Sequence, residues 1–115
     1  MTEKAAGGSL EGIRVVDLTM SVAGPFTTQI LGDLGADVVK VERPPNGDDT
    51  RSWGPPFWGP DSAQFQGLNR NKRSLLLDLK DEDSRKTLRA LIADADVLVQ
   101  NLRPGRLEEL GFGYA

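Results

Sequence analysis

The stretch IRVVDLTMSVAGPFTTQILGDLGADVVKVER, residues 13–43, decides the fold. It opens on a short apolar run rich in β-branched residues, which is typical of a strand buried on both faces. Gly24 and Pro25 mark a helix start, because proline at the first helical position loses no hydrogen bond that the helix needs. Gly35 ends that helix, and a second β-branched run follows. Apolar residues recur through the helix at helical spacing: Phe26, Ile30, Leu31 and Leu34.

The rest of the chain continues this alternation of strand and helix. Asp81 can cap a helix over about 82–94, in which Leu88, Leu91 and Ile92 form an apolar stripe. Strands that alternate with helices favour parallel pairing through right-handed crossovers. The predicted fold class is therefore α/β, with a Rossmann-like, mostly parallel sheet and helices on both faces. The four predicted strands cover residues 13–19, 37–43, 74–80 and 96–102.

A long loop is predicted over residues 44–60, where five prolines and three glycines leave no room for regular structure. The loop carries Trp53, Phe57 and Trp58, which we expect to pack against the domain or a partner chain rather than to stack on a base. A short helix is predicted within residues 62–71 that follow, and another short helix within 103–113.

Composition excludes several classes of function. The chain has no cysteine and no histidine, so a disulfide scaffold, a thiol nucleophile and an imidazole base are excluded, and no metal site is indicated. A net charge of -3 argues against a general nucleic-acid binder. No apolar run approaches the ~18 residues of a membrane span. Residues 1–9 are small and polar and predict a disordered lead-in without a secretory signal.

In parallel sheets ligands sit beyond the carboxyl ends of the strands, so the segments just past the predicted strands are the candidate sites. The small residues of 21–24 lead into a helix N-terminus, which favours an anion, although a simple turn is an equal alternative. Arg43 ends the second strand and can bind a phosphate or pair with Asp48 or Asp49. Further cations beyond strand ends are Lys80, Arg103 and Arg106.

Two other features have structural interpretations. The cations within NRNKRS, residues 69–74, precede a strand and should lie away from the ligand edge. Asp17, inside the first strand, is expected to bond loop amides rather than to catalyse.

Both GxGxxG and GxxxxGK[ST] are absent, which disfavours an NAD enzyme and a phosphate-loop protein. The cations at one edge of an acidic protein nevertheless suggest a ligand that carries several phosphates.

Several motifs together resemble the family III CoA-transferases, the group of formyl-CoA transferase, carnitine-CoA transferases and α-methylacyl-CoA racemases. The resemblance covers nearly all of residues 10–115. The motifs are LEGIRVVDLT, VAGPF, LGDLGADVVKVERP, GDDTRSWGPPF, LNRNKRSLLLDLK, DADVLVQNLRPG and LEELGFGY.

The resemblance implies that residues 10–115 are the N-terminal part of a Rossmann-like domain that binds coenzyme A. It implies a cytoplasmic homodimer of interlocked chains that transfers coenzyme A between an acyl-CoA and a carboxylic acid. The family's nucleophile is an aspartate that lies downstream, and none of the aspartates here matches it, so we expect no catalytic residue in this chain and no activity from it alone. The positions expected to contact coenzyme A are Ser21, Val22, Ala23, Arg43, Leu77, Lys80, Asn101, Leu102 and, as a substitute for an arginine that relatives have at Glu109, Arg106.

Alternatives remain open at this point. The racemase branch of the same family needs a proton-transfer pair that includes a histidine, and this segment has none. Some relatives also carry a histidine where this chain has Met20. A non-enzymatic nucleotide-binding or interaction module, complete as it stands, is the other alternative.

Overall fold

The structure is a computed structural model that describes residues 8–114. Its strands are β1 (Arg14–Asp17), β2 (Asp37–Glu42), β3 (Phe57–Trp58), β4 (Asp61–Ser62), β5 (Lys72–Leu76) and β6 (Val97–Val99). Its helices are α1 (Ala23–Asp33), α2 (Ala63–Leu68), α3 (Glu82–Asp94) and α4 (Arg106–Glu109), and a 3-10 turn covers Asp49–Ser52. None of the helices within these residues is long and apolar enough to cross a membrane.

Four strands form a parallel sheet in the order β5-β2-β1-β6. The chain passes through α1 from β1 to its neighbour β2, whereas α3 leads from β5 to β6 at the opposite edge. The strand order therefore reverses between β1 and β6. The crevice at such a reversal, outside the carboxyl ends of the strands, is the usual ligand site of an open α/β sheet.

Each face of the sheet has its own apolar cluster, because side chains alternate along a strand. Val16 and Val41 pack with the fully buried Leu88 of α3 on one face. Val15 and Val38 pack with Leu31 of α1 on the other face. The predicted Rossmann-like fold with helices on both faces is confirmed.

Helix α1 begins earlier than predicted, at Ala23 rather than at Pro25. The first amide groups of a helix have no partner within it, so Pro25 is tolerated as the third residue of the first turn as well as at the first position. The helix ends at Asp33, with Leu34 as its C-cap.

Strands β5 and β6 also differ from their predicted bounds. Strand β5 covers Lys72–Leu76 instead of 74–80, because parallel pairing with β2 extends from Val38 opposite Lys72 to Glu42 opposite Leu76. The apolar residues beyond Leu76 lie past the end of the sheet. Strand β6 is limited to Val97–Val99, the residues that pair with β1.

The proline-rich loop contains more regular structure than predicted. The 3-10 turn lies within it, and β3 pairs with β4 in an antiparallel hairpin that extends past its end. Its aromatic side chains stay about half exposed, from 45% for Trp53 to 62% for Trp58. They therefore do not pack closely against the domain within the described residues, and packing against a partner chain stays a prediction. The short helix that follows is α2, at the centre of the predicted range.

The predicted disordered lead-in of residues 1–9 lies mostly outside the described residues. Its last two residues, Gly8 and Ser9, belong to a turn in which the Glu11 amide donates to the Gly8 carbonyl over 3.1 Å. The Leu10 amide donates to the Leu34 carbonyl over 2.9 Å and ties this turn to the end of α1.

Candidate functional site

A cavity of about 270 Å³ opens at the carboxyl edge of the sheet. Segments that follow β1, β2, β5 and β6 contribute to its wall, as expected for a ligand site of this fold. The lining residues are Leu18, Thr19, Met20, Lys40, Val41, Glu42, Arg43, Asp48, Leu77, Asp78, Leu79, Lys80, Leu102, Arg106 and Leu110.

The wall brings together five of the nine residues predicted from the sequence to contact a ligand: Arg43, Leu77, Lys80, Leu102 and Arg106. The other four, Ser21, Val22, Ala23 and Asn101, lie outside this wall. Three of these form the turn into α1, next to the wall residue Met20. The predicted set is thus divided between the cavity and the adjoining loop.

The cations at the cavity differ in how they are paired. The side chains of Arg43 and Lys80 are exposed and make no ion pair or hydrogen bond with the residues that the structure describes. The alternative in which Arg43 pairs with Asp48 is not what the structure has, because Asp48 pairs with Lys40. Arg106 is paired with Glu109, with 3.2 Å between Nη1 and Oε2.

Asp17 anchors the loop that follows β1. Its buried carboxylate accepts hydrogen bonds from the Thr19 amide, at 2.8 Å, and from the hydroxyls of Thr19 and Thr28. Lys72 Nζ lies 3.1 Å from Asp17 Oδ2 and donates to the Pro25 carbonyl at 3.0 Å. Burial lowers the pKa of Lys72, and the charge of Asp17 offsets part of this shift. The expectation that Asp17 bonds loop amides is confirmed.

A second buried ion pair joins Lys40 to Asp48 in the cavity wall. Lys40 Nζ is 2.9 Å from Asp48 Oδ2 and donates to the Thr19 carbonyl at 2.9 Å. Asp48 Oδ1 accepts from the amide and hydroxyl of Thr50, at 3.0 and 2.8 Å, and from the Ser21 amide at 3.3 Å. Burial acts to raise the pKa of Asp48, but these hydrogen bonds and the Lys40 charge outweigh it and hold that pKa below its ordinary value.

Glu42 and Arg51 attach the proline-rich loop to the sheet. The guanidinium of Arg51 contacts both oxygens of Glu42, at 2.8 and 2.6 Å, and reaches Asp61 at 2.9 Å. It also lies 3.9 Å above the centre of the Phe65 ring. Burial acts to raise the pKa of Glu42, but hydrogen bonds from Arg51, Ser74 and the Asp48 amide lower it below its ordinary value. Glu42 in turn raises the pKa of Arg51.

Asn101 joins the loops after β1 and β6 at the point where the strand order reverses. The Met20 amide donates to Asn101 Oδ1 over 3.1 Å, and Asn101 Nδ2 donates to the Met20 carbonyl over 2.9 Å. The next residue, Ser21, has a φ of 73°, which residues with a side chain rarely adopt.

Two of the three cations in residues 69–74, Arg70 and Arg73, lie away from this site, as predicted. Arg70 pairs with Asp33 at the end of α1, and Arg73 pairs with Asp37 at the start of β2, each at 2.8 Å. Both pairs lie at the amino edge of the sheet, opposite the cavity. Lys72 differs from Arg70 and Arg73 because its side chain is buried and forms an ion pair with Asp17.

Sequence reasoning missed the buried charges Lys40, Glu42 and Asp48, all of which line the cavity. An indication was present in the sequence, because Lys40 and Glu42 alternate with valines in a strand predicted to be buried on both faces. A charge at such a position requires a partner. The partner Asp48 lies beyond a turn whose course the sequence does not reveal.

The family model of CoA-transferase family III matches residues 10–115 of the chain. The mouse succinyl-CoA:glutarate CoA-transferase is 54% identical over 105 residues, which cover 91% of this chain and 24% of the relative. The acetyl-CoA:oxalate CoA-transferase of Acetobacter aceti is 48% identical over 107 residues, which cover 93% of this chain and 27% of the relative. The chain thus spans about a quarter of the length of these relatives.

The chain is also similar, in fold and in sequence, to part of several solved structures. A CAIB/BAIF family protein from Brucella suis superposes with a TM-score of 0.89 and 45% identity, over 95% of this chain and 30% of the other. The protein Rv3272 from Mycobacterium tuberculosis superposes with a TM-score of 0.84 and 41% identity, over 94% of this chain and 29% of the other.

Proposed function

The chain belongs to CoA-transferase family III, and on that premise we propose that its cavity binds the adenosine and phosphate part of coenzyme A. The proposal extends to the reaction, which is the transfer of coenzyme A from an acyl-CoA to a carboxylic acid. The observation that carries the proposal is the pair of cations at the cavity, Arg43 and Lys80, whose charges no described residue neutralises.

The assigned roles follow from the chemistry of each side chain. Arg43 and Lys80 contact phosphate groups, since charge-assisted hydrogen bonds to phosphate are strong. Leu77 and Leu102 supply apolar surface for the adenine ring. Arg106 is a weaker phosphate ligand here, because Glu109 competes for it. The backbone of residues 21–23 contacts the cofactor at the start of α1.

The acceptor is proposed to be a dicarboxylic acid. The relatives above are named for glutarate and oxalate, and a relative from Haloarcula hispanica is named for mesaconate. The reaction requires the downstream aspartate of the family as nucleophile, and the cytoplasmic homodimer belongs to the same proposal. We expect the 115-residue chain to bind coenzyme A without transferring it.

Calorimetric titration of coenzyme A into the full chain tests the binding site. Arg43→Ala and Lys80→Ala are each expected to weaken binding by about 1–3 kcal/mol, the scale of a hydrogen bond to a charged group. Arg73→Ala is the matched control, because it removes an exposed cation at the opposite edge of the sheet, and it should leave the affinity unchanged.

The reaction is tested separately with succinyl-CoA as donor and glutarate or oxalate as acceptor. The assay uses a chimera in which residues 10–115 replace the matching segment of the mouse relative. Transfer that is lost with Arg43→Ala supports the proposal. If the full chain binds no coenzyme A, or if both alanine variants bind it as tightly as the unchanged chain, the assignment of this cavity is wrong.

A further inference from the structure

The side chain of Asn101 is occupied by the backbone of the loop after β1. Its amide accepts from the Met20 N–H and donates to the Met20 carbonyl, so it pairs with that residue as a neighbouring strand would. The pairing continues the ladder between the strands, in which the Leu18 amide donates to the Val99 carbonyl over 2.8 Å. Asn101 itself lies outside the cavity wall, whereas Met20 forms part of it.

The same loop is also held by Asp48. Asp48 Oδ1 accepts from the Ser21 amide, and Lys40, the ion-pair partner of Asp48, donates to the Thr19 carbonyl. Three consecutive residues of the loop are therefore fixed through their backbone by side chains from three separate segments. Fixation is needed because the left-handed conformation of Ser21 is unfavourable for a residue with a Cβ.

We propose that Asn101 is a positioning residue of the cofactor site, which acts by holding the Met20 and Ser21 backbone in place. Its amide oxygen accepts from the Met20 N–H and one of its two N–H groups donates to the Met20 carbonyl, so the side chain is fixed against the loop. The part of this inference that concerns affinity rests on the proposed function. The part that concerns the loop is independent of any ligand.

Amide hydrogen exchange of the ligand-free protein, followed by NMR, tests the inference in the variant Asn101→Ala. The informative amide is that of Ser21, because it bonds Asp48 and not Asn101. We expect its exchange to become about tenfold faster, and the affinity for coenzyme A to fall about tenfold, the effect of a lost hydrogen bond. The variant should fold, because Asn101 is exposed. Asn46→Ala, which removes another exposed asparagine whose side chain bonds no described residue, should change neither quantity.

A second variant separates positioning from direct contact. Adding Ser21→Gly to Asn101→Ala lowers the cost of the left-handed backbone, so part of the lost affinity should return. Unchanged exchange at the Ser21 amide in Asn101→Ala would overturn the inference, and so would a loss of affinity that Ser21→Gly leaves as it is. If the unchanged chain binds no coenzyme A, the proposed function fails and the exchange measurement alone decides the positioning role.

Discussion

Charged side chains are buried in the interior of this protein, and each is paired with a side chain of opposite charge. Lys40 and Asp48 are both almost completely buried, and their side chains meet over 2.9 Å. A buried pair of this kind adds little to stability compared with apolar residues, but removing one partner leaves an uncompensated charge. Each of these two charges can therefore be buried only because the other is present.

Lys40→Met is expected to lower the free energy of unfolding by about 3–5 kcal/mol, because it leaves Asp48 buried without its cation. Urea unfolding followed by circular dichroism measures the change. Arg73→Met is the control: it removes a cation from an exposed pair with Asp37 and should cost about 0–1 kcal/mol. Equal losses in the two variants would show that the burial of the pair has no energetic consequence.

Gly24 is required by a close approach between α1 and the loop after β1. A Cβ at this position would lie 2.4 Å from the Thr19 Cβ, closer than side-chain atoms can pack. Gly24→Ala is therefore expected to destabilise the fold by about 1–3 kcal/mol through overpacking.

Gly67 offers the matched comparison for this substitution. It lies in α2, and a Cβ there would meet nothing within 4 Å. Gly67→Ala should stabilise the protein by about 0.5–1 kcal/mol, since alanine loses less backbone entropy in a helix than glycine does. Thermal unfolding of both variants measures the two changes in stability, which should be opposite in sign. A stabilising Gly24→Ala would contradict the close packing at Thr19.

At the scale of the elements, the sequence predicted each strand of the parallel sheet because each is a short run of β-branched or apolar residues. It misplaced the bounds of β5, because the apolar residues Leu77 and Leu79 continue the pattern beyond the point where pairing with β2 stops. The cavity residues after strand ends were predictable from the rule that ligands sit there. The course of the proline-rich loop was not predictable, because it depends on Arg51 contacting Glu42 and Asp61, nine and ten residues away, across turns that the sequence does not specify.

The carboxylates that attach this loop to β2 should make the free energy of unfolding fall at acid pH. The folded-state pKa values of Glu42 and Asp48 lie below their ordinary values of 4.5 and 3.8. The unfolded chain therefore takes up protons first as the pH falls, and the stabilisation, complete above about pH 5, is lost progressively below it.

Urea unfolding at pH 6, 5, 4 and 3 measures this dependence. Glu42→Gln should lower stability at pH 6 but reduce its further loss between pH 5 and 3. Glu108→Gln, which removes an exposed carboxylate that pairs with no described residue, should keep the original slope. A profile for Glu42→Gln parallel to that of the unchanged protein would exclude Glu42 as a source of the pH dependence.

For the whole molecule, the informative feature is a row of exposed apolar side chains along α1. Val22, Phe26, Ile30 and Leu34 recur every four residues and are each 43–51% exposed. The sequence predicted an apolar stripe here, and of the predicted set only Leu31, which is partly buried, packs against the apolar cluster of the sheet. Exposed apolar patches of this kind promote association in water.

We therefore expect the 115-residue chain to self-associate, with a sedimentation-equilibrium mass that rises over the micromolar range. Phe26→Glu combined with Ile30→Glu should lower the association because it places two charges in the middle of the row. Thr27→Glu adds a charge to the same helix outside the row and should leave most of the association intact. A compact monomer with sharp cooperative unfolding at all concentrations would contradict this expectation. It would show that the row can stay exposed to water without being covered by a partner surface.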